Sequence, residues 1–421
     1  MVRFASIPKY EAYTDSGVMW LDKIPSHWSV EKSQWLFKLR RERARKGDKQ
    51  LTASQKYGMI SQQIFMELER RRVTQVEFNA EILKHVETND FVISMRSFQG
   101  GIEYCQEAGC VSSAYVPLIP DKYVYSPFFK YLLKSQRYIE ALQSTSNLVR
   151  DGQALRYENF RMVDLPVVPI EEQTAIANFL DRKTAQIDEA VAIKEKQIVL
   201  LKERKKIIIQ KAITQGLDPN APMKDSGVDW IGQIPEHWEM LPLKRLAKLS
   251  PKVEVENRNS ADSACFLPME KVSANGEIEC DVMMPIKKVS QGFTVFNRGD
   301  VIVAKITPCF ENGKSAYLKT ISTNFGFGST EFHVLRSFGR INGEFLYFVV
   351  RSNLFLKAGE ALMTGSAGQK RVPSSFVANF PIALPPEYEQ KEIVAYIEGL
   401  FEKIEEATTL QRQHIEKLKE Y

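Results

Sequence analysis

The chain is poor in the features that mark secreted or membrane proteins. It has five cysteines in 421 residues, at positions 105, 110, 265, 280 and 309. The number is odd and no framework spacing appears, so buried thiols in a reducing compartment are expected. Cys105 and Cys110, with His85 upstream, are the one conceivable zinc group, but the paired C-x2-4-C spacing of such sites is missing. No apolar run approaches the ~18 residues needed to cross a bilayer. The opening MVRFASIPKYEAY carries no apolar signal-peptide stretch. A cytoplasmic protein with no membrane partner is expected.

Catalytic signatures are also scarce. No Gly-x4-Gly-Lys-Ser/Thr cradle for ATP occurs, and no local motif marks out a Ser/His/Asp set. Leu384-Pro-Pro-Glu387 has the two prolines of a base-methylating motif, but leucine stands where a polar residue is needed. Phe325-Gly-Phe-Gly328 misses the F-x-G-x-G spacing, because Ser329 follows, and reads as strand-edge packing. No enzyme activity is expected of this chain, and no cofactor bound by it. The composition is otherwise that of a globular protein, with 44% hydrophobic and 26% charged residues. A net charge of +5 permits a nucleic-acid partner without requiring one.

What the chain does have is a repeat. DSGVMWLDKIPSHWSV, from Asp15, and DSGVDWIGQIPEHWEM, from Asp225, share nine of sixteen positions at an offset of 210. Asp90–Met95 and Asp300–Lys305 match at the same offset and read as buried strands. Later the offset becomes 217. Ser113-Ala-Tyr-Val then aligns with Thr330-Glu-Phe-His, and Pro169-Ile-Glu-Glu-Gln173 with Pro386-Glu-Tyr-Glu-Gln390. One unit of a little over 200 residues therefore occurs twice, with a shared framework and differing inserts. His27 and His237 fall at the same repeat position, which favours a structural turn over catalysis. Pro127–Leu142 and Glu344–Lys357 read as helices of matching placement.

Each unit ends in a long helix. Glu171 to Ile213 contains no proline or glycine. Two seven-residue series run through it: Leu180, Ile187, Lys194, Leu201, Ile208, and Thr184, Val191, Ile198, Lys205, Ala212. Seven of these ten are apolar, a coiled-coil seam. Gly216 and Pro219 stop it. The second seam is Ile397, Ile404, Gln411, Leu418 beside Val394, Phe401, Thr408, Ile415, on a shorter helix from Gln390. The two most simply pack on each other, antiparallel.

With VDLPVVPIEEQTAIANFL and NFPIALPPEYEQKEIVAYI at the two helix starts, and the doubled SGVxWxxxIPxHW segment, the chain resembles the specificity subunits (HsdS) of type I restriction–modification enzymes over essentially its whole length. The resemblance implies a mixed α/β fold: two globular target recognition domains joined by two long antiparallel coiled-coil helices, with pseudo-two-fold internal symmetry. The expected layout is a repeat segment 1–30, recognition domain 31–165, long helix 166–214, linker and repeat segment 215–241, recognition domain 242–382 and helix 383–421. It implies double-stranded DNA as ligand, each domain reading half of an asymmetric site. It also implies two methyltransferase subunits and restriction/translocase subunits as partners, which would hold S-adenosylmethionine, ATP and Mg2+.

Base contacts belong on polar loops that differ between copies. The candidates are Arg96, Ser97 and Gln99 after the first buried strand, and Lys305, Thr307 and Lys314 after the second. Ahead of the two long helices stand Ser146, Arg150 and Arg156, and Thr364, Ser366, Gln369, Lys370 and Arg371. Clusters at Arg40–Lys46, Arg70–Arg72, Lys202–Lys206 and Lys244–Lys252 are candidates for phosphate contact. A single-chain modification methyltransferase, a coiled-coil scaffold without DNA and an orphan DNA binder are the competing readings.

Overall fold

A computed structural model describes residues 9–70, 72, 82–94, 97–145, 155–251, 262–366 and 368–420. The chain forms two compact units that divide after Asp188, inside the first long helix.

The first unit opens with an antiparallel hairpin, Tyr13–Asp15 against Lys23–Pro25. Its turn is closed locally: the Gly17 N–H donates to the Asp15 carboxylate at 2.9 Å, and Gly17 holds φ +67°. Strand Ser29–Glu31 then pairs with Leu165–Val167, which carries the repeat segment to the start of the long helix. Behind it stands a four-stranded antiparallel sheet in the order Phe37–Leu39, Val116–Pro120, Phe91–Ile93, Glu103–Tyr104. Phe37 is the hub of this core, edge-on to Phe91, Phe129 and Phe160 at 5.4, 5.5 and 5.7 Å. Such pairs add about 0.5–1.5 kcal/mol each beyond burial.

The second unit repeats the plan. Met223–Asp225 pairs with Gln233–Pro235, and Glu239–Pro242 with Pro381–Leu384. Its first sheet runs Ala247–Leu249, Phe332–Ser337, Val301–Ala304, Ser315–Tyr317, the same order built from repeat-equivalent strands. The expected strands after Asp90 and Asp300 are thus Phe91–Ile93 and Val301–Ala304, every residue buried. The insert differs. The second unit adds a mixed sheet, Met283–Pro285, Ser263–Leu267, Phe325–Gly328, Thr294–Asn297, where the first has short hairpins such as Leu51–Ser54 with Gly58–Ser61.

Three expectations need correction. Phe325–Gly328 is not at a sheet edge: it is an inner strand, parallel to Ser263–Leu267 and antiparallel to Thr294–Asn297. Its glycines let neighbours close in, since a Cβ on Gly326 would stand 2.5 Å from the Phe296 ring and 2.7 Å from the Cys265 carbonyl. The expected single helices after the strands are pairs, Ser126–Leu132 with Gln136–Ser144 and Gly343–Arg351 with Asn353–Ala361. Ser135 and Ser352, equivalent at the 217 offset, each break the helix and cap the next by accepting a backbone N–H. Cys265 and Cys280 are not free thiols but are joined in a disulfide, their Cα atoms 6.1 Å apart.

The long helices are continuous over Ile170–Gln215 and Glu387–Lys419. The first ends at Gly216, φ +74°, where a Cβ would come 3.2 Å from the Trp238 ring. Within the second unit the seams meet antiparallel. Lys194 donates to the Gln411 carboxamide at 3.0 Å, and the Lys205 ammonium lies 3.6 Å over the Phe401 ring. On the C-terminal helix Val394, Ile397, Ile404, Thr408 and Ile415 are buried, with Phe401, Gln411 and Leu418 half-buried between them.

Candidate nucleic-acid interface

Each globular unit is fastened to its long helix by the same pair of residues. Gln173 is fully buried; its amide donates to the carbonyls of Tyr123 (2.8 Å) and Val168 (2.7 Å), and its oxygen accepts the Tyr125 N–H at 2.8 Å. Gln390 does the same with the carbonyls of Arg340 (2.8 Å) and Pro385 (2.9 Å) and the Asn342 N–H (2.7 Å). A carboxamide is the one neutral side chain offering both donors and an acceptor for three backbone groups.

The residue before each is a glutamate that grips the repeat segment. Glu172 takes His27 Nε2 at 2.6 Å, the Trp28 indole N–H at 3.1 Å and the Tyr10 hydroxyl at 2.8 Å. Glu389 takes His237 at 2.6 Å, Trp238 at 2.8 Å and the Tyr388 hydroxyl at 3.0 Å. Burial would raise these carboxyls, but the donors outweigh it and hold both below the ordinary range. The paired histidines are therefore parts of a joint between the repeat segment and the helix.

The polar loops are brought together unequally. In the second unit the chain after Val301–Ala304 pairs with the chain that enters the helix Ser374–Asn379. Thr307 N–H donates to the Lys370 carbonyl at 3.0 Å, Val372 N–H to Lys305 at 2.9 Å, and Arg371 N–H to Thr364 at 2.8 Å. Lys305, Thr307, Thr364, Lys370 and Arg371 thus share one surface, with Thr364, Ser366, Gln369, Lys370 and Arg371 exposed. The Arg371 guanidinium is held by Glu331, Nε to Oε2 at 2.9 Å and Nη2 to Oε1 at 2.8 Å. Lys305 turns inward to the Thr330 carbonyl at 2.8 Å, and burial lowers its ammonium's affinity for the proton. Lys314 is half-buried, its ammonium donating to the Met269 carbonyl at 3.0 Å. Sequence reading missed Glu331, whose only signal was a charge at a repeat position held by Ala114 in the first copy.

In the first unit Arg96, Ser146 and Arg150 lie outside the described residues. Gln99 and Arg156 are exposed. Ser97 is corrected: its hydroxyl is buried and accepts the Ser94 N–H at 2.8 Å, so it closes a turn.

The basic clusters are partly spent inside the protein. Arg40 grips buried Asp90 with two bonds, 2.6 and 3.0 Å, and Arg45 binds Glu87 at 2.7 Å as well as Glu42. Arg336 meets Asp300, the repeat equivalent of Asp90, at 2.8 Å through both nitrogens. Arg41, Arg43, Lys46, Arg245 and Lys248 stay exposed, while Lys252 lies outside the described residues.

The zinc group does not assemble. Cys105 and Cys110 are buried, which pushes the Cys110 thiol up to about 11 and Cys105 further. His85 spends both ring nitrogens on carboxylates, Nδ1 on Asp48 at 2.8 Å and Nε2 on Glu87 at 2.9 Å. Among the described residues no group of three His, Cys, Asp or Glu side chains is placed to hold a metal ion. No helix among them is long and apolar enough to cross a membrane.

Two repeated α/β units, each locked to a long helix, thus present divergent polar loops. Residues 25–202 and 235–417 both match the type I restriction modification DNA specificity domain, and the chain belongs to that family. It is 42% identical over 163 residues to the type I restriction enzyme EcoAI specificity subunit of Escherichia coli, 38% of this chain but 28% of that protein. The EcoEI specificity subunit of Escherichia coli gives 42% over 176 residues, again 28% of its length. These alignments span less than a third of either relative. The MjaVIII specificity subunit of Methanocaldococcus jannaschii matches at 25% over 349 residues, 81% of this chain and 78% of that one. The crystal structure of an HsdS subunit from Thermoanaerobacter tengcongensis shares the fold, with TM-score 0.54, 14% identity, and coverage of 94% and 95%. A chain from a structure on type I R-M complex assembly and conformational transition gives TM-score 0.61 at 13% identity, covering 94% of this chain and 96% of that one.

Proposed function

We propose that this chain is the non-catalytic DNA-specificity subunit of a type I restriction–modification enzyme. Each unit reads one half of an asymmetric bipartite site, and the helices set the spacing and dock methyltransferase subunits, two in the complete enzyme. S-adenosylmethionine, ATP and Mg2+ belong to those partners and to the restriction/translocase subunits. The carrying observation is the repeat itself: the same sheet order and the same helix joint occur twice, while the inserts and loops differ. A scaffold that repeats while its loops diverge suits a ligand of two unlike halves.

The docking reading rests on exposed apolar side chains. Ile193, Leu200 and Ile207 are 51%, 57% and 63% exposed. Their seven-residue spacing puts them on one side of the helix, apart from the seam. On the C-terminal helix Leu410, the repeat equivalent of Ile193, is 50% exposed. Bare aliphatic stripes of this kind mark protein contacts.

Co-expression with the adjacent methyltransferase gene, followed by genome-wide detection of methylated bases, tests the reading. Methylation at a split, asymmetric motif that disappears when this gene is deleted is the expected result. An unchanged methylation pattern would refute it.

A further inference from the structure

The Glu331–Arg371 pair joins two segments that the repeat allows to be compared one by one. Both offsets are fixed by paired strands: Leu118 and Leu335 hold the same place opposite Phe91 and Val301, and buried Leu155 matches buried Val372. At that 217 offset Glu331 corresponds to Ala114 and Arg371 to Ala154. Both members of the pair are thus alanine in the other copy. A pair that only held the shared framework together would be needed in both.

The geometry is that of a presented guanidinium. Glu331 is 25% and Arg371 48% exposed. The carboxylate takes the Nε and Nη2 side of the fork. On the remaining edge, Nη1 with the second Nη2 hydrogen, the one hydrogen bond among the described residues is the long one from Nη1 to the Gln369 carbonyl at 3.5 Å. Two parallel N–H groups on a rigid plane match the two acceptors, N7 and O6, that guanine shows in the major groove. The backbone behind Arg371 is fixed by its exchange of hydrogen bonds with Thr364, at 2.8 and 3.0 Å.

We propose that Arg371 contacts a guanine edge in the half-site read by the second unit, and that Glu331 is its positioning residue. This rests on the specificity-subunit reading above. The first unit, with Ala114 and Ala154, reads its half-site by other groups.

The test uses the full chain assembled with its methyltransferase subunits, and measures methylation across a library of sites varied at each position of the motif. Arg371→Ala and Arg371→Lys should each lower discrimination for guanine at one position of one half-site by about tenfold to a hundredfold. The other half-site should be read as before. Lysine keeps the charge but not the fork, so it should retain affinity for DNA while losing discrimination. Glu331→Gln should relax the same position, to a smaller degree, because the amide no longer holds the guanidinium as an ion pair. Complex assembly and thermal midpoint serve as the check that each variant is folded. Uniform weakening at every sequence, rescued by Arg371→Lys, would make Arg371 a phosphate contact and overturn the proposal. Unaltered specificity in both arginine variants would overturn it too. If the unsubstituted chain directs methylation to no motif at all, this proposal and the reading beneath it fall together.

Discussion

Two buried histidines show how residue-level chemistry differs between units sharing one framework. His85 donates from both ring nitrogens to carboxylates, which requires the imidazolium form. Burial alone would lower its pKa, but the bonds to Asp48 and Glu87 raise it. His333 is buried too, and there burial wins: its pKa falls to about 4, against the pull of its bond to the Val372 carbonyl. The consequences have opposite sign. The contribution of His85 is complete below the unfolded pKa of about 6.5 and fades as pH rises through its raised folded value. That of His333 is complete above about 6.5 and is lost as pH falls toward 4. In calorimetry of the full chain, His333→Val, the residue the first copy has at Val116, should abolish part of the destabilisation seen between pH 6.5 and 4. No difference between variant and parent across that range would contradict the assignment. The carboxamide joint gives a second test: Gln390→Ala leaves three backbone groups without their partner, the Pro385 carbonyl among them buried, and should cost about 1–3 kcal/mol in urea unfolding. Neither feature was legible beforehand. The repeated glutamines were visible, but their partners lie about fifty residues away, at Tyr123 and Arg340, and only folding joins them.

At the scale of elements, the helices were the most legible part. A seam needs nothing but spacing, and every position assigned to the second seam, from Val394 to Leu418, is buried or half-buried. The strands after Asp90 and Asp300 were legible for the same reason, as short runs buried on both faces. Helix breaks at Ser135 and Ser352 were not, because an apolar period continues across a cap. The seam and the bare stripe should separate by mutation. Ile404→Ala, in the seam, should cost about 2–4 kcal/mol of stability. Leu200→Glu, on the exposed side, should leave unfolding nearly unchanged yet abolish co-purification with the methyltransferase subunit. A stable Ile404→Ala variant, or a Leu200→Glu chain that still assembles, would show these roles to be wrongly divided.

For the whole molecule, the long helices act as a ruler in the proposed function. A helix of 46 residues spans about 70 Å at 1.5 Å per residue. Four residues inserted in phase into both helices lengthen them by about 6 Å, roughly two base pairs. The unspecified spacer of the methylated motif should grow accordingly while both half-sites stay the same; an unchanged spacer would remove the ruler. That the protein is two copies of one plan was evident from the offsets alone. What each copy reads was not, since the loop groups gather through long-range pairing such as Thr307 with Lys370.

The offset shift from 210 to 217 falls between two framework strands that lie side by side, Val301–Ala304 and Phe332–Ser337, paired at Val303 and His333. Between those points the chain lays Ser315–Tyr317 on the far side of Val301–Ala304 in the same sheet, and it returns beside the strand it left. Whatever is threaded between those points closes the same short gap, and lengthening such a loop costs little, about 0.6 kcal/mol for each doubling. The sheet therefore behaves as a socket. Under the proposed function, exchanging what is plugged into it would change the half-site that is read and leave the framework strands as they are.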